Sequence, residues 1–279
     1  MAYKTIVCVL SNAKNAPNLM NCAIDLARRN GAHLIGLHVE QVAIAPLAAP
    51  MAMPDPVSIQ ALQDAAHEQS TALQAIFDET CRREAISGEW RNFVSMSGYG
   101  SGNSTDTLRC ADLIVTAQSD PSYASDDSEI EQVLFESGRP VLLVPYIFSD
   151  AKPIRRVLIG WNGTREATRA VFDAMPFLVN ADAVEVFTVD PENNAAQTAD
   201  LAGAEIAATL ARHGVKAEVV AVASEGLSAA TVLENRLSDS AIDLLVIGAY
   251  GKSRLREMLF GGVTRTLLDS MTALTLMSR

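Results

Sequence analysis

The sequence predicts an α/β protein built from two tandem doubly wound, five-stranded parallel sheets with helices on both faces. Three observations predict it. The 279 residues are 49% hydrophobic but only 5% aromatic, so the core is made of Ala, Val, Leu and Ile, the residues that fill parallel sheets flanked by helices. Short β-branched runs alternate with helix-period segments, the mark of βαβ units. The whole pattern then occurs twice.

The repeat is read in order along the chain. KTIVCVL (4–10) aligns with RRVLIGW (155–161), and GAHLIGLHV (31–39) with ADAVEVFTV (181–189). ADLIV (111–115) matches IDLLV (242–246), and RPVLLV (139–144) matches TALTLM (272–277). Each unit is about 140 residues, and the join falls near YIFSDAKPI (146–154), punctuated by Pro145 and Pro153. The domains are therefore expected at 1–147 and 154–279.

Within the units, VSIQALQDAAHEQSTALQAIFDETCRRE (57–84) and the run from Ala195 to Arg212 have helical period. VAIAPLAAPMAMP (42–54) is cut by prolines and reads as a loop. GYGSG (98–102) has Asn103 where a dinucleotide loop needs glycine, so it is a turn after the third strand. The fifth strands, RPVLLVP and TALTLM, are apolar edges that need cover, and the expected solution is that they cover each other in an intramolecular pseudo-dimer. Leu47, Met51 and Met53, with the helix after them, form an apolar surface through which a homodimer is expected.

Charge and cysteine content narrow the function. The net charge is −11, which repels nucleic acid and anionic lipid. No 18-residue apolar stretch is present, and the opening MAYKTIVCVL has too short an apolar run for a signal peptide. Cys8, Cys22, Cys81 and Cys110 have no CxxC spacing and are expected as reduced core residues, which fits a cytoplasmic location. His33, His38, His67 and His213 are scattered, and His33 and His38, in or beside the second strand, read as structural. No nucleophile elbow, zinc motif or other catalytic constellation is found; at most, bound nucleotide is hydrolysed slowly.

One stretch asks for a ligand. IGAYGKSRLREMLFGGVT (247–264) contains Gly-Lys-Ser, but a Walker A loop would need glycine at the position of Val246. Instead, Gly248 ends a strand, Gly251 lies in the following loop, and Gly261 and Gly262 open a last helix, VTRTLLDS, whose free N–H groups favour an anion. Thr264 adds a hydroxyl. Lys252, Arg254, Arg256 and Arg265 against Glu257 give residues 248–265 a charge of +3, whereas the matching residues 116–138 carry −6 with no Lys or Arg. A triphosphate is attracted by the first and repelled by the second.

The pattern Gly248-x-x-Gly251, nine residues, Gly261, a small residue and Val263-Thr264 resembles the ATP-binding signature of the universal stress protein family, and the doubling resembles its tandem members. The resemblance implies a Rossmann-like, adenine nucleotide alpha-hydrolase-like fold in each half, with ATP over the ends of the first and fourth strands. It implies adenosine against Trp161, Asn162, Gly163, Val189 and Gly248, and phosphates against Gly251, Arg254, Gly261, Gly262, Val263 and Thr264, accompanied by Mg²⁺. Asn162-Gly163 stands where the family has Asp-Gly, and Gly262 where it has Ser or Thr. The first half has Ser11-Asn12-Ala13 after its first strand, lacks the glycines and reads as a degenerate copy. The expected role is an ATP-binding sensor or regulatory module of the stress response. The residues leave a second reading open, a nucleotide-independent scaffold for a partner protein or another small ligand.

Overall fold

The structure, a computed structural model, describes residues 2–41, 56–95, 103–118, 128–148, 152–191, 203–249 and 271–279. The chain divides into two compact units, one of Tyr3–Ala117 and Asp126–Ser137, the other of Met1–Ala2, Gln118–Ser125 and Gly138–Arg279.

The first unit runs β1 (Thr5–Val9), α1 (Ala16–Asn30), β2 (His33–Gln41), α2 (Pro56–Glu84), β3 (Gly88–Ser95), α3 (Asn103–Arg109), β4 (Leu113–Ala117), α4 (Ser128–Ser137). Its strands are parallel in the order β3-β2-β1-β4. Apolar runs on β1 and β4 are almost wholly buried, as strands covered on both faces must be. The helix read at 57–84 is α2, one residue longer at its start. α1 ends on Gly31, whose φ of 58° is the left-handed cap that lets its N–H reach back to the helix carbonyls.

The second unit runs β5 (Val141–Val144), β6 (Arg156–Gly160), α5 (Arg165–Asp173), α6 (Met175–Leu178), β7 (Ala183–Val189), α7 (Ala204–Arg212), β8 (Ala217–Val222), α8 (Ala229–Asp239), β9 (Leu244–Gly248), β10 (Leu274–Ser278). Strands β8-β7-β6-β9-β10 are parallel in that order, the same winding as the first unit with one more strand. The strands expected to meet, β5 and β10, pair antiparallel, with Leu142 opposite Leu276. Packing thus groups β5 with the second unit, although by sequence it closes the first repeat. The helix expected from Ala195 is described from Ala204.

The repeat is wired identically in both units by one carboxylate. Asp112, in the ADLIV motif, accepts from the backbone N–H groups of Lys4 and Thr5 at 2.7 and 3.0 Å. Asp243, in IDLLV, accepts from those of Arg155 and Arg156 at 2.9 and 2.8 Å. In each case the aspartate just before the fourth strand of the repeat fixes the start of the first.

The cysteine expectation holds for three of four. Cys8, Cys22 and Cys81 are buried, and burial pushes Cys22 to about 12 and Cys81 to about 11, so these thiols are inert. Cys110 is exposed, because it sits in the turn between α3 and β4 rather than in either element. His38 is structural: its Nδ1 donates to the Leu10 carbonyl at 2.7 Å, and its ring stacks on Trp90 at 6.4 Å. His33 is half-exposed, 3.6 Å from Glu89. Of the apolar surface expected to dimerise, Leu47, Met51 and Met53 lie outside the described residues, while Val57 and Leu62 on α2 are exposed.

Two expectations follow. Asp112→Ala and Asp243→Ala should each lower stability by about 1–2 kcal/mol, two charge-assisted bonds discounted for partial exposure, measured by urea unfolding; little effect from either would show that the carboxylate does not anchor its strand. Burial lowers the His38 pKa below its ordinary 6.5, against the smaller opposing effects of the Leu10 carbonyl and Glu40. The unfolded chain therefore takes up a proton that the folded chain resists, and the His38 contribution, complete above 6.5, is lost as pH falls through the lowered value. His38→Gln should flatten the stability slope below pH 6.5 by up to about 1.4 kcal/mol per pH unit.

Candidate functional site

In an open parallel sheet, ligands sit beyond the carboxyl ends of the strands, where the winding direction reverses. In the second unit that point lies between β6 and β9, since β6 has β7 on one side and β9 on the other. The structure brings five of the sequence-derived residues to this edge: Trp161, Asn162 and Gly163 directly after β6, Val189 at the end of β7, and Gly248 at the end of β9. Gly251, Arg254, Gly261, Gly262, Val263 and Thr264 lie outside the described residues.

The loop after β6 is a tightly bonded turn. The Trp161 N–H donates to the Phe187 carbonyl at 2.8 Å, continuing the β6–β7 ladder one residue past the strand. The Asn162 Oδ1 accepts from the N–H and hydroxyl of Thr164 at 3.2 and 2.8 Å. Gly163 has φ 70°, which the turn requires and side chains resist. Thr164 then caps α5, its hydroxyl accepting from the Ala167 N–H at 3.3 Å. Asn162, in the place of the acid that the resemblance expects, thus works as a turn-former.

Gly248 is needed for a reason that spacing does not reveal. Its φ is not positive, and a Cβ on it would lie 2.4 Å from the Ala167 nitrogen and 2.5 Å from the Glu166 carbonyl carbon. The close approach that the glycine allows here is that of the α5 backbone. It seats the first turn of α5 on the end of β9, beside the loop that carries Trp161.

The ends of β7 and β8 are joined by Asp190. This residue has φ 46°, its N–H donates to the Val222 carbonyl at 2.9 Å, and its Oδ1 accepts from the Ser224 N–H at 2.7 Å. Hydrogen bonding from Ser224 holds its carboxyl below the usual range.

Buried polar atoms test whether this edge suits a polar ligand. Trp161 Nε1, Thr188 Oγ1 and Ser278 Oγ are buried with no hydrogen-bond partner among the described residues. Unmade bonds of this kind are uncommon and call for an explanation. All three fall at or beside the carboxyl ends of strands in this unit. Thr188 and Ser278 escaped the sequence reading because a Thr or Ser in a β-branched strand signals only strand propensity. Among the described residues no group of three His, Cys, Asp or Glu side chains is disposed to hold a metal.

In the first unit the corresponding helix, α4, opens with Glu129 and Glu131 in its first turn. Carboxylates there complement the helix dipole themselves and oppose an incoming phosphate.

Gly248→Ala should destabilise the protein by about 1–3 kcal/mol, because the neighbour it meets is backbone and cannot swing aside. A thermal melt matching the parent would refute the close-packing role.

Comparison with known proteins agrees with this geometry. Residues 153–279 match the universal stress protein family. A universal stress protein of Synechocystis sp. (strain ATCC 27184 / PCC 6803 / Kazusa) is 29% identical over 143 residues, 50% of this chain; the matched part is 47% of that relative, so the chain spans about half its length. Among solved structures, a universal stress protein of Archaeoglobus fulgidus superposes with a TM-score of 0.67 at 13% identity, covering 98% of this chain and 96% of the other. A universal stress protein structure from Pseudomonas aeruginosa gives 0.57 at 16% identity, covering 99% and 93%. At these identities the structures speak for the fold. The sequence match, the β6–β9 switch point and the glycine-bounded strand end together make residues 153–279 similar to the universal stress protein family.

Proposed function

We propose that the second half of the chain binds an adenine nucleotide, ATP, beyond the ends of β6 and β9, as a cytoplasmic sensor or regulatory module of the stress response. The observation that carries this reading is the meeting of the Trp161–Gly163 loop with Gly248 at the switch point, lined by buried polar atoms without partners. Gly248 is also where the glycine signature and its +3 charge begin. Adenosine lies against Trp161, Asn162, Gly163, Val189 and Gly248. The phosphates lie against Gly251, Arg254, Gly261, Gly262, Val263 and Thr264, and Mg²⁺ arrives bound to them. Binding, not turnover, is the proposed activity. The first half takes no nucleotide, consistent with the acidic first turn of α4.

Asn162 favours a second reading. Its carboxamide oxygen is engaged by Thr164, where the family's acid is expected to meet a ligand, so the edge could instead serve as a nucleotide-independent scaffold for a partner protein or another small ligand.

Calorimetric titration decides between them. The expected result is one ATP site per chain, lost in Gly261→Val, with Arg254→Ala weakening ATP more than adenosine because only phosphate meets the cation. Two sites per chain would overturn the assignment to one half, and no binding of any adenine nucleotide would leave the scaffold.

A further inference from the structure

The first unit ends on β3, which pairs with β2 on one side and with no strand on the other among the described residues. An edge strand directs a row of backbone N–H and C=O groups outward, ready for another strand. One bond tells which residues those are. The Ser87 carbonyl accepts from the Leu34 N–H at 3.4 Å, so the odd-numbered residues of β3 turn their backbone groups towards β2. Gly88, Trp90, Asn92 and Val94 therefore turn theirs outward, and Gly88, Asn92 and Val94 are exposed, Val94 at 64%.

Protected edges carry Lys, Pro or a bulge. β3 reads GEWRNFVS in unbroken register with β2 and has none of these. It carries instead two opposite charges, Glu89 and Arg91, two residues apart and so on one face. Arg91 donates to Glu89 from Nε at 2.8 Å and from Nη2 at 3.2 Å, and from Nη1 to the Thr107 hydroxyl at 3.1 Å. A guanidinium has five N–H donors. Two thus stay available, among the described residues, for a second carboxylate.

We propose that β3 is a self-recognising edge, which pairs antiparallel with β3 of a second copy of this chain about a two-fold axis at Trp90. The backbone restricts such a pair to registers in which even-numbered residues oppose even-numbered ones, and the charges choose among them. Centred on Glu89 or on Arg91, the pair sets like charges opposite each other, which is destabilising. Centred on Asn92, it sets Glu89 against Ser95 and Arg91 against Phe93, with no attraction. Centred on Trp90, it sets Glu89 of each copy against Arg91 of the other, at the closer, non-hydrogen-bonded kind of position. Trp90 then exchanges N–H and C=O bonds with its counterpart, and Gly88 with Asn92. The outer strand of the second unit, β8, carries Glu218 and no cation within 217–222, so it has no register of this kind. The proposal does not depend on nucleotide binding.

The test is charge exchange in the full chain, followed by sedimentation equilibrium across the micromolar range. Wild type should dimerise, and Glu89→Arg or Arg91→Glu alone should raise the dissociation constant by about tenfold or more, because each sets like charges opposite. The double variant Glu89→Arg/Arg91→Glu should dimerise again. A mixture of the two single variants should form a heterodimer, since every opposing pair in it is then unlike. Amide exchange at Gly88, Trp90, Asn92 and Val94 should be slower in wild type than in Arg91→Glu, and Asn92→Pro, which removes an outward N–H, should dissociate the pair while the urea unfolding midpoint of the monomer is kept. A monomeric wild type, a dimer indifferent to the single reversals, or single reversals that neither the double variant nor the mixture repairs would overturn the proposal.

Discussion

The parallel pairing of β6 with β7 on one side and β9 on the other is the constraint on which the second unit depends. Parallel strands need crossover connections, so every return path runs over a face of the sheet and every carboxyl end points to one edge. The reversal at β6 brings the Trp161–Gly163 loop and the end of β9 together at that edge. Asp243 reinforces the pairing from the opposite end, holding the backbone at the start of β6 from the residue before β9. The amino-terminal edge is thus bonded shut while the carboxyl edge keeps polar atoms unpaired.

Close packing of backbone sets the walls of that edge. Gly248 lets α5 settle on β9, and Gly203 lets α7 begin above Val186 and Thr188. A side chain at either position would push a helix away from the sheet and widen the space between them. Gly248 therefore shapes this strand edge by admitting the α5 backbone.

The two halves share a winding and a carboxylate but differ at the edge that matters. Ser11-Asn12-Ala13 and the glutamates opening α4 replace the glycine-bearing turn and basic segment of the second half. In the first unit an aromatic cluster packs against β2 and β3. Gly36 and Gly88 admit the Phe77 ring, and His38 stacks on Trp90 with its Nδ1 bonded to Leu10.

The sequence by itself determined the fold class, the repeat, the order of the strands along the chain, and the loops that border the switch point, because apolar period and glycine spacing are local properties. Gly248 was legible at a strand end for that reason, whereas Trp161, Asn162, Gly163 and Val189 were named beside it through the family resemblance, and Cys110 was misread because its burial depends on a turn. Only the tertiary structure decided that Gly248 serves the α5 backbone, that Asn162 is spent on its own turn, that β5 packs with the second unit, and that Thr188 stands beside Trp161 without a partner. Apart from the Asn162 turn, a bond to Thr164 two residues on, each of these is a contact between segments distant in sequence, or the absence of one. Such contacts are fixed by strand register and helix seating, which no local pattern encodes.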